Sequence, residues 1–170
     1  MSSSTTEPGS STPFTAAVVT VSDSCARGER ADLSGPAVAE VLVERGFRVV
    51  ANEIVQDDGM QIQNILVHLA LQVRFIVTTG GTGIAERDVT PEATESICDR
   101  LIDGVGERMR LEGIKKTAFA ALSRGVCGVR GRTLILNLPG NPAGAVESLQ
   151  AVVEIIPHAL DLLDGKTEHG

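Results

Sequence analysis

Phe75-Ile76-Val77-Thr78-Thr79-Gly80-Gly81-Thr82-Gly83-Ile84-Ala85-Glu86-Arg87-Asp88-Val89-Thr90-Pro91 is the stretch that decides how this chain folds. Phe75 to Thr78 is short, apolar and β-branched, as a strand covered on both faces must be. It runs straight into three glycines within four residues. Glycine admits positive φ and lets a ligand approach the backbone closely. Successive N–H groups in such a loop form a nest for phosphate oxygens. The plainer alternative is a strand-to-helix turn. Two threonines and the nearby Arg87-Asp88 favour an anion site, and Pro91 opens a helix.

Strand and helix patterns alternate outward from this unit. Ala16 to Val21 (AAVVTV) reads as a buried strand. A polar loop, 22–33, leads to Ser34-Gly35-Pro36, where Ser34 can cap a helix. Val38, Val41 and Leu42 repeat at helical spacing, and Gly46 is a stop. Phe47 to Val55 reads as a strand. Asp57 or Asp58 caps a helix over roughly Met60 to Val73. A further helix is expected over Gly106 to Lys116. Val126 to Arg130 and Thr133 to Leu138 read as strands around a tight turn at Gly131. The final helix runs from about Pro142 to Leu163, with a kink or break at Pro157. The expected architecture is α/β, a three-layer α/β/α sandwich with a mostly parallel sheet. The polar segments after Val21, Val55 and Thr78, together with Asn137-Leu138-Pro139-Gly140, leave strands at their carboxyl ends, where such folds bind ligands.

Composition agrees. The 170 residues are 42% hydrophobic, with no Trp or Tyr and only four Phe, so Val, Ile, Leu and Ala must build the core. A net charge of −7 argues against nucleic acid, which needs a clustered basic surface, but leaves room for a small phosphorylated ligand. Cys25, Cys98 and Cys127 form no C-x-x-C pair, so neither a zinc site nor a disulfide framework is indicated. The Ser/Thr-rich residues 1–13 read as a disordered tail without signal-peptide character, followed by one domain over 14–165 and a short tail over 166–170. No apolar run suits a membrane, and the expected location is the cytoplasm.

The glycine loop is neither a Walker A motif, because Ile84 follows Gly83 where Lys is required, nor a dinucleotide fingerprint, because the last glycine is missing. Thr90, just before Pro91, is the better-placed cap, which leaves Asp88 free to hold a metal. Asp57 or Asp58 reaches the same sheet edge. Two carboxylates from neighbouring strand ends suit a Mg²⁺-nucleotide, since Mg²⁺ is held by one or two carboxylates plus phosphates and water. Ser22-Asp23-Ser24 and Asp32-Leu33-Ser34 read equally well as turn chemistry. Arg124 can pair with phosphate or sit on a solvated surface. The turn from Asn137 to Pro142 can lean on a ligand ring or simply connect elements. His68, His158 and Cys25 receive no role.

Together, Val21-Ser22-Asp23, Asp32-Leu33-Ser34-Gly35-Pro36, Thr79 to Thr94 (TGGTGIAERDVTPEAT), Ala121-Leu122-Ser123-Arg124 and Asn137-Leu138-Pro139-Gly140-Asn141-Pro142 resemble the molybdopterin adenylyltransferase family, that of MogA, MoaB and the gephyrin G domain. The resemblance spans about residues 15–165. It implies the molybdopterin-binding fold and a reaction of molybdenum-cofactor biosynthesis: adenylylation of molybdopterin by Mg²⁺-ATP, with release of pyrophosphate. It implies catalytic, metal-binding acids at Asp57 and Asp88, and a nucleotide-phosphate loop at Thr79, Gly80, Gly81, Thr82 and Gly83. Molybdopterin contacts are implied at Ser22, Asp23, Ser123, Arg124, Asn137, Pro139 and Gly140. It further implies a homo-oligomer, a trimer or in some members a hexamer, and hand-over to the molybdate-insertion enzyme. A non-catalytic molybdopterin carrier of the same fold is the competing reading.

Overall fold

The computed structural model describes residues 12–166. The expected tails therefore fall largely outside the described residues, which exclude 1–11 and 167–170.

Six strands form one sheet in the order β2-β1-β3-β6-β5-β4. β1 (Thr15–Val21), β2 (Arg48–Val55), β3 (Phe75–Thr79) and β6 (Thr133–Leu138) are mutually parallel. β5 (Cys127–Arg130) turns back against β6 through Gly131, and β4 (Arg100–Leu101) lies antiparallel to β5 at the edge. The expected three-layer, mostly parallel architecture is thus what the chain adopts.

Side-chain alternation along the central strands feeds two cores. Ala16, Val18, Phe75, Val77, Leu134 and Leu136 face one layer, with Val38, Val41 and Leu42 of α2 (Ser34–Glu44) and Val105 and Met109 of α5 (Asp103–Ile114). Leu149 of α6 (Pro142–Val152) and Leu160 of α7 (Ile156–Leu163) complete it. Ala17, Val19, Ile76 and Ile135 face the other layer, with Ile62, Leu66 and Leu69 of α3 (Gly59–Ala70) and Ala93 of α4 (Thr90–Ile97). Because both faces are covered, these strands are mostly apolar instead of alternating with polar residues, and Thr20, Thr78, Thr79, Thr133 and Asn137 are buried exceptions near their ends.

The final helical segment breaks where expected: α6 ends at Val152, a 3-10 turn covers Val153–Ile155, and α7 starts one residue before Pro157. Three short elements were not expected: helix α1 (Asp23–Ala26), strand β4, and a 3-10 turn over Ala118–Leu122. Two expected caps are corrected. α2 begins at Ser34 itself, with Leu33 as a cap that makes no side-chain bond, and the Asp32 carboxylate accepts from the Gly35 N–H at 2.9 Å instead. α4 likewise begins at Thr90 behind Val89, so Thr90 is not its cap.

Candidate active site

The carboxyl ends of β1, β2, β3 and β6 open onto a polar cleft of about 450 Å³. Its lining includes Ser22, Asp23, Asp57, Thr79, Gly80, Gly81, Asp88 and Gly140. The parallel register places the loops that carry these residues side by side.

The two turns after β1 and β2 lock together. The Asp23 N–H donates to Asp57 Oδ2 at 3.1 Å, and the Asp57 N–H donates to Asp23 Oδ1 at 2.9 Å. Asp58 caps α3, accepting from the Gln61 N–H at 3.0 Å. The alternative left open by spacing is thereby resolved: Asp58 caps the helix and Asp57 lines the cleft. Burial pushes the Asp57 carboxyl above its ordinary range, and the neighbouring Asp23 and Asp88 charges add to this. The Asp23 N–H and the Arg87 guanidinium oppose it.

Gly80 and Gly81 take φ of +97° and +68°, a region L side chains rarely adopt. Thr90 holds the loop shut: its hydroxyl donates to the Gly80 carbonyl at 3.0 Å and its N–H to the Gly81 carbonyl at 3.1 Å. The Gly80 N–H donates to Leu138 O at 3.0 Å. Among the described residues, the N–H groups of Gly81, Thr82 and Gly83 make no hydrogen bond. A Cβ on Gly81 would lie 3.3 Å from Asp57 Oδ1, and one on Gly83 would lie 2.8 Å from Asp88 Oδ2. Both carboxylates thus border the glycine loop. Asp88 also closes its own turn, accepting from the Ala85 N–H at 3.0 Å. The last strand end arrives backbone to backbone: a Cβ on Gly140 would lie 3.2 Å from the Gly80 Cα.

The remaining expected site residues separate. Thr82 is buried, and neither Thr82 nor Gly83 lines the cleft. Arg124 does not face it either. Its guanidinium donates to Gly83 O at 2.8 Å and to Asp88 O at 2.7 Å, and it pairs with Glu92 at 2.6 Å, so its charge is engaged in holding the loop. Asn137 is fully interior: its Nδ2 donates to Thr78 Oγ1 at 3.1 Å and Thr94 Oγ1 at 2.9 Å, and its Oδ1 accepts from the Val126 N–H at 3.2 Å. The donors and acceptors of Arg124 and Asn137, both expected at the ligand, are turned to the protein here. Ser123 and Pro139 line a second, apolar cleft of about 650 Å³ between α5 and α6, which shares Asn141 with the polar one.

Two features escaped sequence reasoning. The Thr20 hydroxyl donates to Asp32 Oδ2 at 2.7 Å, and the Ser34 and Thr79 hydroxyls lie 2.9 Å apart, tying the ends of β1 and β3 to the start of α2. Arg110 reaches across from α5 to the Gly125 carbonyl at 3.0 Å. Local spacing gives no signal for either, since the partners lie on different elements.

No set of three or more His, Cys, Asp or Glu among the described residues is arranged to hold a metal ion. Asp57 and Asp88 therefore suit a cation that brings phosphate and water ligands with it better than a resident metal.

Parallel central strands whose carboxyl ends carry a glycine loop beside two carboxylates define an α/β protein with a polar cleft at that edge of its sheet. The family model described as "Probable molybdopterin binding domain" matches residues 17–158, and the chain belongs to that family. A molybdopterin adenylyltransferase of Helicobacter pylori is 43% identical over 152 residues, covering 87% of this chain and 86% of the relative. The molybdopterin biosynthesis enzyme MoaB of Thermus thermophilus superposes with a TM-score of 0.85 at 53% identity, covering 90% of this chain and 98% of that one. The molybdopterin biosynthesis protein Mog of Mycobacterium ulcerans superposes with a TM-score of 0.83 at 40% identity, over 88% and 99%.

Proposed function

We propose that this chain, as one domain over residues 14–165, transfers AMP from ATP to the terminal phosphate of molybdopterin. The observation that carries the reading is the approach of Asp57 and Asp88 to the Gly80–Gly83 loop from two different strand ends. In this reaction a phosphate oxygen of molybdopterin attacks the α-phosphorus of ATP. A new P–O bond forms, the bond to the β-phosphate bridging oxygen breaks, and pyrophosphate leaves. Such transfer asks for little covalent help, so positioning and neutralisation of charge do most of the work.

The residues divide the task. Asp57 and Asp88 would hold Mg²⁺, which offsets triphosphate charge. The raised pKa of Asp57 supports this: burial, with smaller contributions from Asp23 and Asp88, makes its charge costly, and a cation would offset that cost. The N–H of Gly81, the one of the loop's unengaged amides that belongs to the cleft lining, binds phosphate oxygens. Ser22, Asp23 and Gly140 shape the polar cleft, while Ser123 and Pro139 offer the apolar neighbour to the pterin. Arg124 and Asn137 support both from behind. The shared boundary at Asn141 lets one ligand reach from the apolar cleft into the polar one.

No helix among the described residues is long and apolar enough to cross a membrane. We place the protein in the cytoplasm as a homotrimer or a hexamer, handing its product to the molybdate-insertion enzyme. The exposed apolar side chains of Leu111, Ile114, Phe119 and Leu122, close together in the chain, support self-association.

Incubation with molybdopterin, ATP and Mg²⁺, followed by mass spectrometry, tests the reaction. Adenylylated pterin and pyrophosphate are expected together. The Asp88→Asn variant should fold normally but turn over about 10²-fold more slowly. Wild-type turnover in that variant would defeat the assignment of Asp88. Molybdopterin binding without any binding of Mg²⁺-ATP would favour the carrier reading.

A further inference from the structure

The polar cleft contains three arginines besides its acids: Arg27, Arg30 and Arg87. They are not equivalent. Arg27 is paired with Glu29 at 3.0 Å. Arg30 and Arg87 make no ion pair and no side-chain hydrogen bond among the described residues. Arg124, the cation that sequence alone put near phosphate, is fastened to Glu92 and to two loop carbonyls. This protein carries 22 acidic against 15 basic side chains, so carboxylate partners are not scarce. Arg30 and Arg87 are exposed to solvent and line one phosphate-sized cleft, where no carboxylate among the described residues engages them.

We infer that Arg30 and Arg87 bind the β- and γ-phosphates of ATP and hold the pyrophosphate as it leaves, an assignment that rests on the nucleotide reading proposed above. They reach the cleft from different segments: Arg30 from the β1–α2 loop, Arg87 from the loop that follows the glycines. Arg87 already acts electrostatically on Asp57, so its charge is felt at the position expected for the metal. A guanidinium suits this work because its planar fork donates to two phosphate oxygens at once and keeps its charge at any pH of interest. Mg²⁺ offsets only part of the charge of a triphosphate. As the bond to the α-phosphorus breaks, negative charge grows on the departing pyrophosphate, and two fixed cations stabilise it there. The glycine loop, with amide donors only, supplies no full charge to do this.

Equilibrium binding of three probes tests the assignment: Mg²⁺-ATP, Mg²⁺-pyrophosphate and AMP. Arg30→Ala and Arg87→Ala are each expected to weaken ATP and pyrophosphate roughly tenfold or more, the loss for a charge-assisted hydrogen bond to phosphate, with AMP affinity unchanged. Arg48→Ala, which removes a cation at the first residue of β2, the end of the strand away from the cleft, is the control and should leave all three affinities alone. Thermal unfolding checks that each variant is folded. Should Arg87→Ala unfold, Arg30→Ala decides alone, because its residue lies on a separate loop. Unchanged ATP binding in the arginine variants, or an equal loss for AMP and ATP, overturns the inference while leaving the nucleotide site standing. A wild-type protein that binds neither ATP nor AMP overturns both.

Discussion

Asp23 and Asp57 hold each other by a reciprocal pair of hydrogen bonds, each backbone N–H donating to the other's carboxylate at 3.1 and 2.9 Å. Two acids are thereby brought together without a salt bridge, and each keeps a carboxylate oxygen turned away from this exchange. The arrangement fixes the turns after β1 and β2 but carries an electrostatic cost that the Arg87 guanidinium opposes.

That cost predicts a pH-dependent stability. The Asp57 carboxyl is raised by burial and by its acidic neighbours, so the folded state holds its proton more tightly than the unfolded chain does. The contribution to stability is present below the ordinary carboxylate pKa of 3.8 and is lost as pH rises through the folded value. Asp57→Asn keeps an acceptor for the Asp23 N–H and removes the charge. It should unfold at a higher temperature than wild type at pH 7 without Mg²⁺, and the gap should close as the solution is acidified. Its turnover should fall about 10²-fold or more with the loss of the metal carboxylate. A lower unfolding temperature at pH 7 would contradict this account.

Arg124 fastens the glycine loop from outside the cleft. Arg124→Ala frees the Gly83 and Asp88 carbonyls and should weaken nucleotide binding by about tenfold through a looser loop. Arg124→Lys should not restore it, because one ammonium cannot serve three acceptors in a fixed plane. Hydrogen exchange over residues 80–90 distinguishes this from direct phosphate contact: faster exchange in the variant is expected, and an unchanged profile beside weaker binding would show that Arg124 touches the ligand.

Asn137 should behave as a stability residue. Removing its side chain leaves the Thr78 and Thr94 hydroxyls and the Val126 N–H without partners in the interior, a loss of about 3 kcal/mol. Asn137→Ala should therefore lower Tm by several degrees, and the surviving folded fraction should bind molybdopterin with near wild-type affinity. Normal stability with lost pterin binding would return Asn137 to the ligand.

The cysteines offer a probe of the cleft. Burial pushes the Cys98 thiol to about 11 and the Cys127 thiol to about 12, so both should resist alkylation near neutral pH. Cys25 lines the cleft and is only partly buried. Iodoacetamide labelling followed by peptide mass analysis should find Cys25 modified first, and Mg²⁺-ATP should slow that modification. Equal labelling with and without nucleotide would place the nucleotide elsewhere.

The parts of the fold that were legible in the sequence are those whose signal is long or doubly buried. β1, β3 and β6 announce themselves as apolar runs because helices cover both sides, and Pro157 marks a real break. α1 and β4, with four and two residues, are too short to show a period. The caps of α2 and α4 were misjudged because residue type alone names a cap, whereas the helix start is set by backbone angles. Ser34 and Thr90 instead turn their hydroxyls to the neighbouring strand and loop ends. Asp57 and Asp58 are adjacent, so only their hydrogen bonds distinguish cap from cleft residue. Asn137 could not be placed because both faces of β6 are buried, leaving no amphipathic pattern to show which way a lone polar residue turns. Arg30 and Arg87 were invisible as a pair, since what distinguishes them is the absence of a partner in space.

The meeting of Gly80 and Gly140 has a consequence for how this cleft can change. Where the two loops touch, main chain abuts main chain, with no rotamer between them to swap. Substitution at that floor would force the loops apart instead of retuning the surface, so new ligand preferences would have to arise at the rim, among residues such as Ser22, Arg30 and Arg87, around a base that stays the same.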